Sequence, residues 1–340
     1  MADTALLTLN AGSSSVKLAV YRVADPAAPA LTALIERIGS AEARAEIRTG
    51  ERREAVPLEP GAGHEAALAA LLPEIACRAP GELVAAGHRI VHGGADFTQP
   101  VAIDEDVLAR LERLVPLART HQPHGIAGIR AVGRLWPGTP QIACFDTAFH
   151  ATIPAEAQAI ALPEAVRRAG VRRYGFHGLS YQGLAERLPE VLGKAAEGRV
   201  VAAHLGNGAS LCGMVGRVSR ATTMGFTPLD GLVMGERPGL TDPGAVLFML
   251  EEMGMSLAET RDALFRQSGL KGLSGISNDM RTLLASDAPE ARLAVAAYVH
   301  RAVREIGAMA AEIGGLDALV FTGGVGENAG PVRAGIVERI

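Results

Sequence analysis

Apolar and polar positions over residues 6–21 read as strand, tight loop, strand: two apolar runs flank Asn10, Gly12, Ser13, Ser14 and Ser15. Such a loop gathers backbone N–H groups and hydroxyls towards one point, which is what a phosphate oxygen needs. A similar unit returns over residues 200–215, with Gly206-Asn207-Gly208-Ala209-Ser210 between its apolar runs. A third glycine loop, 323–326, follows the apolar run 318–321. Three such loops, two of them on hairpins, suggest a nucleotide clasped by two related halves.

Helical patterning covers residues 64–78, 106–117, 125–136, 179–188, 244–253, 257–267 and 289–313, the second opening on acidic Asp104, Glu105 and Asp106. Strand-like runs lie at 83–86, continuing towards Val91, and at 141–145, 200–205 and 316–321. Their alternation predicts an α/β protein with parallel or mixed sheets covered by helices. A boundary near residue 150 gives domains 1–150 and 151–340, with the cleft between the halves as the default ligand site.

Composition narrows the function classes. The 340 residues, 48% hydrophobic and 21% charged, are those of an ordinary globular enzyme. A formal net charge of −4 argues against a nucleic-acid binder, which recruits basic surfaces. Cys77, Cys144 and Cys212 are odd in number and widely spaced, which fits reduced, mostly buried thiols rather than a disulfide framework or a zinc site. No basic n-region precedes the first apolar run, and no run approaches the ~20 residues that span a bilayer, so the expected location is cytoplasmic, with no membrane partner.

Several segments carry chemistry. Asn10, Ser13, Ser15 and Lys17 belong to the first loop and its exit; a polar hairpin turn uses the same residue types, but the near-repeat at Asn207 and Gly208 favours phosphate binding. His88-Arg89-Ile-Val-His-Gly-Gly places a cation at a strand end, where open α/β sheets carry sites; an Arg paired to a carboxylate reads equally well. Asp146, in Phe145-Asp-Thr-Ala-Phe-His, follows a strand and is either a site carboxylate or a cap. Arg172-Arg-Tyr-Gly-Phe-His-Gly gathers two cations and His177 among glycines. Residues 224–239 are too rich in Gly and Pro for a regular element, and long ordered loops in domains tend to be functional; Arg237 is the obvious ligand group there. Gly324-Val-Gly-Glu-Asn-Ala also fits a dinucleotide fingerprint, but no ribose-binding acid follows on a second strand. No Walker A sequence, H-E-x-x-H or paired Cys/His spacing occurs.

Taken together, Asn10-Ala-Gly-Ser-Ser-Ser, His88-Arg-Ile-Val-His-Gly-Gly, Phe145-Asp-Thr-Ala-Phe-His, Tyr174-Gly-Phe-His-Gly, His204-Leu-Gly-Asn-Gly, Met224-Gly-Phe-Thr-Pro-Leu and Phe321-Thr-Gly-Gly-Val-Gly-Glu-Asn resemble the acetate kinase (acetokinase) family. They occur in family order across nearly the whole chain. The resemblance implies two related domains of ribonuclease H-like, actin-like ATPase type, with mixed sheets and a central cleft. It also implies reversible transfer of the ATP γ-phosphoryl group to acetate, giving acetyl phosphate and ADP, with Mg2+ or Mn2+ and a homodimer. A carboxylate is already ionised at pH 7, so the reaction needs charge stabilisation rather than a strong base.

Carried onto this chain, Arg89 and Arg237 flank the acyl and phosphoryl groups, His177 donates to the equatorial oxygens, and Asp146 positions substrate or an arginine. Asn10 lies near the metal. Ser13, Ser15 and Lys17 line the first phosphate loop, with His121, His204, Asn207 and Gly208 opposite. Gly324, Val325, Gly326 and Asn328 contact the nucleotide, and Asp279 the adenosine. Val91, Phe176 and Pro228 form the methyl pocket.

Departures from the family pattern also set expectations. Relatives usually continue several tens of residues further and carry a magnesium-holding carboxylate there, so either another acid substitutes or metal binding is weakened. Thr120 replaces a usual Leu before His121 and makes the acyl pocket more polar. Tyr181 stands where a histidine is usual, and Glu236-Arg-Pro-Gly replaces Thr-Arg-Ser/Cys-Gly. The alternatives are a kinase for propionate or another short-chain acid, a nucleotide-binding protein with little turnover, and a structural relative of actin and Hsp70.

Overall fold

A computed structural model describes residues 3–119 and 121–340; Thr120 therefore falls outside the described residues. The chain divides into two compact units, Met1–Ala148 and Phe149–Ile340.

The first unit is an eight-stranded mixed sheet: β1 (Thr4–Ala11), β2 (Ser15–Arg22), β3 (Leu31–Glu36), β4 (Arg44–Thr49), β5 (Arg52–Val56), β6 (Glu82–Ile90), β7 (Val101–Ala102) and β8 (Gln141–Phe145). Their spatial order is β5-β4-β3-β2-β1-β6-β8-β7. The first five strands form an antiparallel meander, β6 runs parallel to β1, and β8 parallel to β6. Period-two alternation buries Leu7 and Leu9 with Val16, Leu18 and Val20. Helix His64–Arg78 lays the stripe Leu68, Leu71, Leu72 and Ile75 on the same core, and helix Gln122–Leu135 adds Val132. Gly128 lets that second helix approach the sheet closely, because a Cβ there would lie 2.8 Å from Leu9 Cδ2.

The second unit has a four-stranded sheet of β9 (Arg199–Leu205), β10 (Ala209–Val215), β11 (Val218–Thr222) and β12 (Ala318–Thr322), in the order β11-β10-β9-β12. Strands β9 to β11 form an antiparallel meander and β12 runs parallel to β9. The same arrangement joins β3-β2-β1-β6, so the two units repeat one topology. Strand β10 is buried at six consecutive positions, the pattern of a strand covered on both faces. Tyr181, Ala185 and Leu188 of helix Gly178–Leu192 pack against Val200, Ala202, Cys212 and Met214. The long helix Pro289–Glu312 also contacts β9, β10 and β11.

Several expectations need correction. Residues 323–326 are not an open loop but the first turn of helix Gly323–Asn328. Gly323 makes the turn out of β12 at φ +80°, and a Cβ there would lie 2.7 Å from Leu205 O. The helix expected over 106–117 is Glu105–Arg113 followed by a separate 3-10 turn, Val115–Leu117, because Pro116 lacks the N–H and restricts Val115. Residues 257–267 change from an α-helix, Leu257–Asp262, to a π turn, Ala263–Gln267. Only Cys212 is a buried thiol; Cys77 is exposed and Cys144 half-buried. Among the described residues, no helix is long and apolar enough to cross a membrane.

Candidate active site

In the first unit the chemistry gathers at the C-terminal ends of the parallel strands. Asn10 of β1 and Arg89 of β6 are register partners, and Asp146 follows β8 directly, its N–H donating to Ile90 O at 3.0 Å. Arg89 Nε donates to Asp146 Oδ1 at 3.0 Å and Oδ2 at 3.1 Å, and Nη1 donates to Asn10 Oδ1 at 2.9 Å. Asp146 is 2% exposed, whereas the Arg89 side chain is 31% exposed, so a buried carboxylate holds a cation whose outer edge remains accessible. The charge on Asp146 pushes the Arg89 pKa further up, against the effect of burial. Arg89 is thus both the carboxylate-paired arginine and a strand-end cation.

The β1–β2 turn closes with Gly12 N–H on Ser15 O at 2.8 Å, leaving Ser13 and Lys17 exposed and Ser15 half-buried. His64 Nε2 lies 2.7 Å from Gly12 O, and the His64 ring stacks on His124 at 3.9 Å. Burial, then the nearby His64, lowers the His124 pKa. No local pattern marks His64, because its partner is 52 residues away. His121 immediately precedes helix Gln122–Leu135, and Val91 is buried just past β6.

In the second unit a polar cluster surrounds the β9–β10 turn. His177 precedes helix Gly178–Leu192 at φ 60°, an uncommon conformation for a residue with a side chain and one that tends to mark functional sites. Its Nδ1 lies 2.8 Å from Ser210 Oγ, and its ring stacks on His204 at 4.4 Å. His204 Nδ1 lies 2.9 Å from Ser180 Oγ. Ser210 Oγ also meets Tyr181 Oη at 2.6 Å.

Arg237 arrives from the irregular segment after β11 and donates through Nη1 to Pro228 O at 2.7 Å. A Cβ on Gly208 would lie 2.7 Å from Arg237 Nη2 and 3.2 Å from His177 Nε2, so both groups close on this glycine. Among the described residues Arg237 makes no carboxylate ion pair, and burial brings its pKa down to about 10, partly offset by Glu236. A cation stripped of water and of carboxylate favours an anionic ligand. Phe176 is buried and Pro228 half-buried in this unit. Arg173 is not available for such a task, since Nη1 donates to the carbonyls of Thr222, Thr223 and Met224.

A cavity of about 840 Å3 lies within the second unit. Asn207, Asp279, Gly324, Val325 and Asn328, all singled out from the sequence, line it. Gly326 is buried beneath. Asp279 Oδ1 accepts from Arg281 N–H at 2.9 Å and caps helix Met280–Leu284. Arg281 and Asn278 also line the cavity and were missed; nothing in their local pattern separates them from surface residues.

Comparison with known proteins places the chain in a family. The model of the acetokinase family matches residues 5–340. An acetate kinase from Rhodopseudomonas palustris is 52% identical, over 98% of this chain and 85% of its own length. One from Methylocella silvestris is 47% identical over the same shares. Among solved structures, a propionate kinase from Francisella tularensis is 36% identical with a TM-score of 0.93, covering 100% of this chain and 88% of that one. An acetate kinase from Porphyromonas gingivalis is 35% identical with a TM-score of 0.89, covering 98% and 86%. The chain belongs to the acetokinase family.

Proposed function

We propose that this chain is an acetate kinase, transferring the γ-phosphoryl group of ATP to acetate in a reversible reaction that gives acetyl phosphate and ADP. The observation that carries the reading is the half-buried, carboxylate-free Arg237 guanidinium closing with His177 Nε2 on the turn glycine Gly208. A transferring phosphoryl group spreads charge over three equatorial oxygens, and a desolvated guanidinium with an imidazole donor stabilises that charge. Arg89, held by Asp146, takes the acetate carboxylate and orients it for attack. The attacking oxygen is already anionic, so Asp146 has no proton to remove and acts on Arg89. The cavity beside Asn207 and Gly324 takes the nucleotide, with Asp279 at its adenosine end. Val91, Phe176 and Pro228 are assigned to the acetate methyl, and Ser13, Ser15, Lys17, His121 and His204 to the phosphates.

The donor set decides how a divalent ion fits. Among the described residues no group of three His, Cys, Asp or Glu is placed to cage a metal. Asn10 Oδ1 and the Asp146 carboxylate already accept from Arg89. This suits Mg2+ (or Mn2+), which keeps several waters and binds through few protein oxygens and the substrate's phosphates. Asn10 would lie beside such an ion, which would neutralise phosphate charge. A homodimer forms part of the proposal, supported by Leu247, Phe248, Met253, Leu257 and Leu293 of the second unit, each between 53 and 65% exposed. The cytoplasm is the proposed location.

The test is acyl phosphate formation from ATP, trapped as hydroxamate, with acetate or propionate and with or without magnesium. Magnesium-dependent product, faster with acetate, is expected. A folded, ATP-binding sample that forms none would reject the reading, and a preference for propionate would move the substrate by one methylene, worth about 1–3 kcal/mol in an apolar pocket.

A further inference from the structure

The strand β10 serine Ser210 is fully buried, and it touches two groups that no step above uses together: His177 Nδ1 at 2.8 Å and Tyr181 Oη at 2.6 Å. Tyr181 is itself fully buried, one turn along the helix that His177 opens. We propose that Tyr181 and Ser210 are positioning residues for His177: the phenol donates to Ser210 Oγ, and the serine hydroxyl donates to His177 Nδ1. This leaves the neutral imidazole's single N–H on Nε2, the nitrogen facing Gly208 and Arg237. The inference rests on the phosphoryl-transfer reading of the site.

The direction of the chain follows from donor chemistry. A serine hydroxyl has one hydrogen to give and two lone pairs to receive with, whereas a phenol is the more acidic donor. Burial pushes the Tyr181 pKa well above its ordinary value, so the phenol keeps its hydrogen. Once Ser210 Oγ accepts from Tyr181, its own hydrogen can point to the lone pair of Nδ1, 2.8 Å away. Hydrogen bonds in series polarise one another, which strengthens the final bond to the ring.

Geometry supplies the purpose. The position a Gly208 Cβ would occupy is 3.2 Å from His177 Nε2 and 2.7 Å from Arg237 Nη2, so Nε2 is the nitrogen presented beside the guanidinium. An N–H there donates to a phosphoryl oxygen, while a bare lone pair would repel it. The His204 ring stacked at 4.4 Å and the left-handed backbone of His177 restrict the ring's swing, but neither selects which nitrogen carries the proton. The hydroxyl chain makes that selection.

Long-range nitrogen–proton NMR correlations on the protein test this without substrate, with His177→Gln assigning the ring signals. The expected wild-type spectrum shows one tautomer, with Nε2 protonated and Nδ1 bare. A protonated Nδ1, or a mixture, in neutral wild-type His177 overturns the proposal. Ser210→Ala should let the second tautomer appear and lower kcat about tenfold, with KM for ATP and acetate held within about twofold. Tyr181→Phe preserves the packed ring and should lower kcat in the same direction by less. Wild-type kcat in both variants likewise overturns it. Absence of acetyl phosphate formation by the wild type would count against the kinase reading instead, since the spectrum reports on the hydrogen-bond chain by itself.

Discussion

Gly208→Ala tests the convergence at the second unit's turn with the smallest change available. The added methyl would start 2.7 Å from Arg237 Nη2 and 3.2 Å from His177 Nε2. Carbon and nitrogen rest at about 3.5 Å, so the guanidinium must give by about 0.8 Å. It is the far end of a flexible side chain, anchored by the bond to Pro228 O at 2.7 Å. The φ of Gly208 is not in the left-handed region, so alanine brings no backbone strain. Stability should therefore hold, or rise by the ~0.4–1 kcal/mol typical of Gly→Ala at a compatible position. Catalysis should not hold, because displacement of a positioning group by about 1 Å can lower a rate on the order of 100-fold. That corresponds to about 2.7 kcal/mol of transition-state stabilisation.

The assay is hydroxamate-trapped acetyl phosphate formation at saturating ATP and acetate, with thermal unfolding measured on the same sample. A folded variant whose kcat stays within about threefold of wild type would refute the argument that Arg237 and His177 act at this glycine.

Three further outcomes follow from the geometry. Arg237→Ala should lower kcat by about 10³, the scale of an arginine acting on a phosphoryl group, while leaving stability unchanged or raised, because a desolvated cation without a carboxylate is removed; a marked drop in melting temperature would show that its role is structural. Asp146→Ala should cost about 2 kcal/mol, less than the ~3–5 of a fully buried pair because Arg89 is 31% exposed, and should weaken acetate binding as Arg89 loses its orientation; unchanged KM for acetate would sink that assignment. His88 is 1% exposed, and burial lowers its pKa from 6.5 to about 4, partly offset by the Gln141 side chain. Above pH 6.5 it is neutral folded and unfolded and contributes nothing; as pH falls from 6.5 towards 4 only the unfolded chain takes the proton, so stability declines by about 3 kcal/mol. Urea unfolding at pH 7.5 and 4.5 should show a smaller loss in His88→Leu than in wild type, and equal losses would dismiss the role of this ring.

What was legible in the sequence was whatever local pattern encodes. The hairpins around Gly12 and Gly206 carry their turn chemistry within a few residues, and β8 was bounded correctly by its apolar run. Strands β3 to β5 escaped notice because β3 is a short run, and the outer strands β4 and β5 are short, rich in charge and largely exposed. The partners of the site residues were less legible still. Arg89 could be read as a site cation or as a carboxylate-paired structural arginine, and it is bound to a carboxylate 57 residues away. Ser210 looked like the last residue of a turn, and only the packing of helix Gly178–Leu192 on β10 brings Tyr181 to it. Such contacts are set by tertiary packing, to which no spacing along the chain corresponds.

The repeated topology explains why those distant partners fall where they do. In each unit an antiparallel meander is followed by a strand that returns parallel to the first, and this aligns the C-terminal ends of two strands. Asn10 and Arg89 are register partners at one such end, and His204 and Thr322 at the other. Backbone groups at strand ends leave the ladder and become available to ligands, so the frame supplies two comparable positions from one architecture. The chemistry placed there then differs by residue: the first unit holds its cation with a buried carboxylate, whereas among the described residues the second leaves the Arg237 guanidinium without one. A guanidinium already neutralised by Asp146 can orient a small carboxylate without gripping a polyanion. An unneutralised one is suited to the phosphoryl charge that develops only during transfer. The difference in pairing between Arg89 and Arg237, rather than the shared fold, is therefore what supports the proposal that the two arginines serve different substrates.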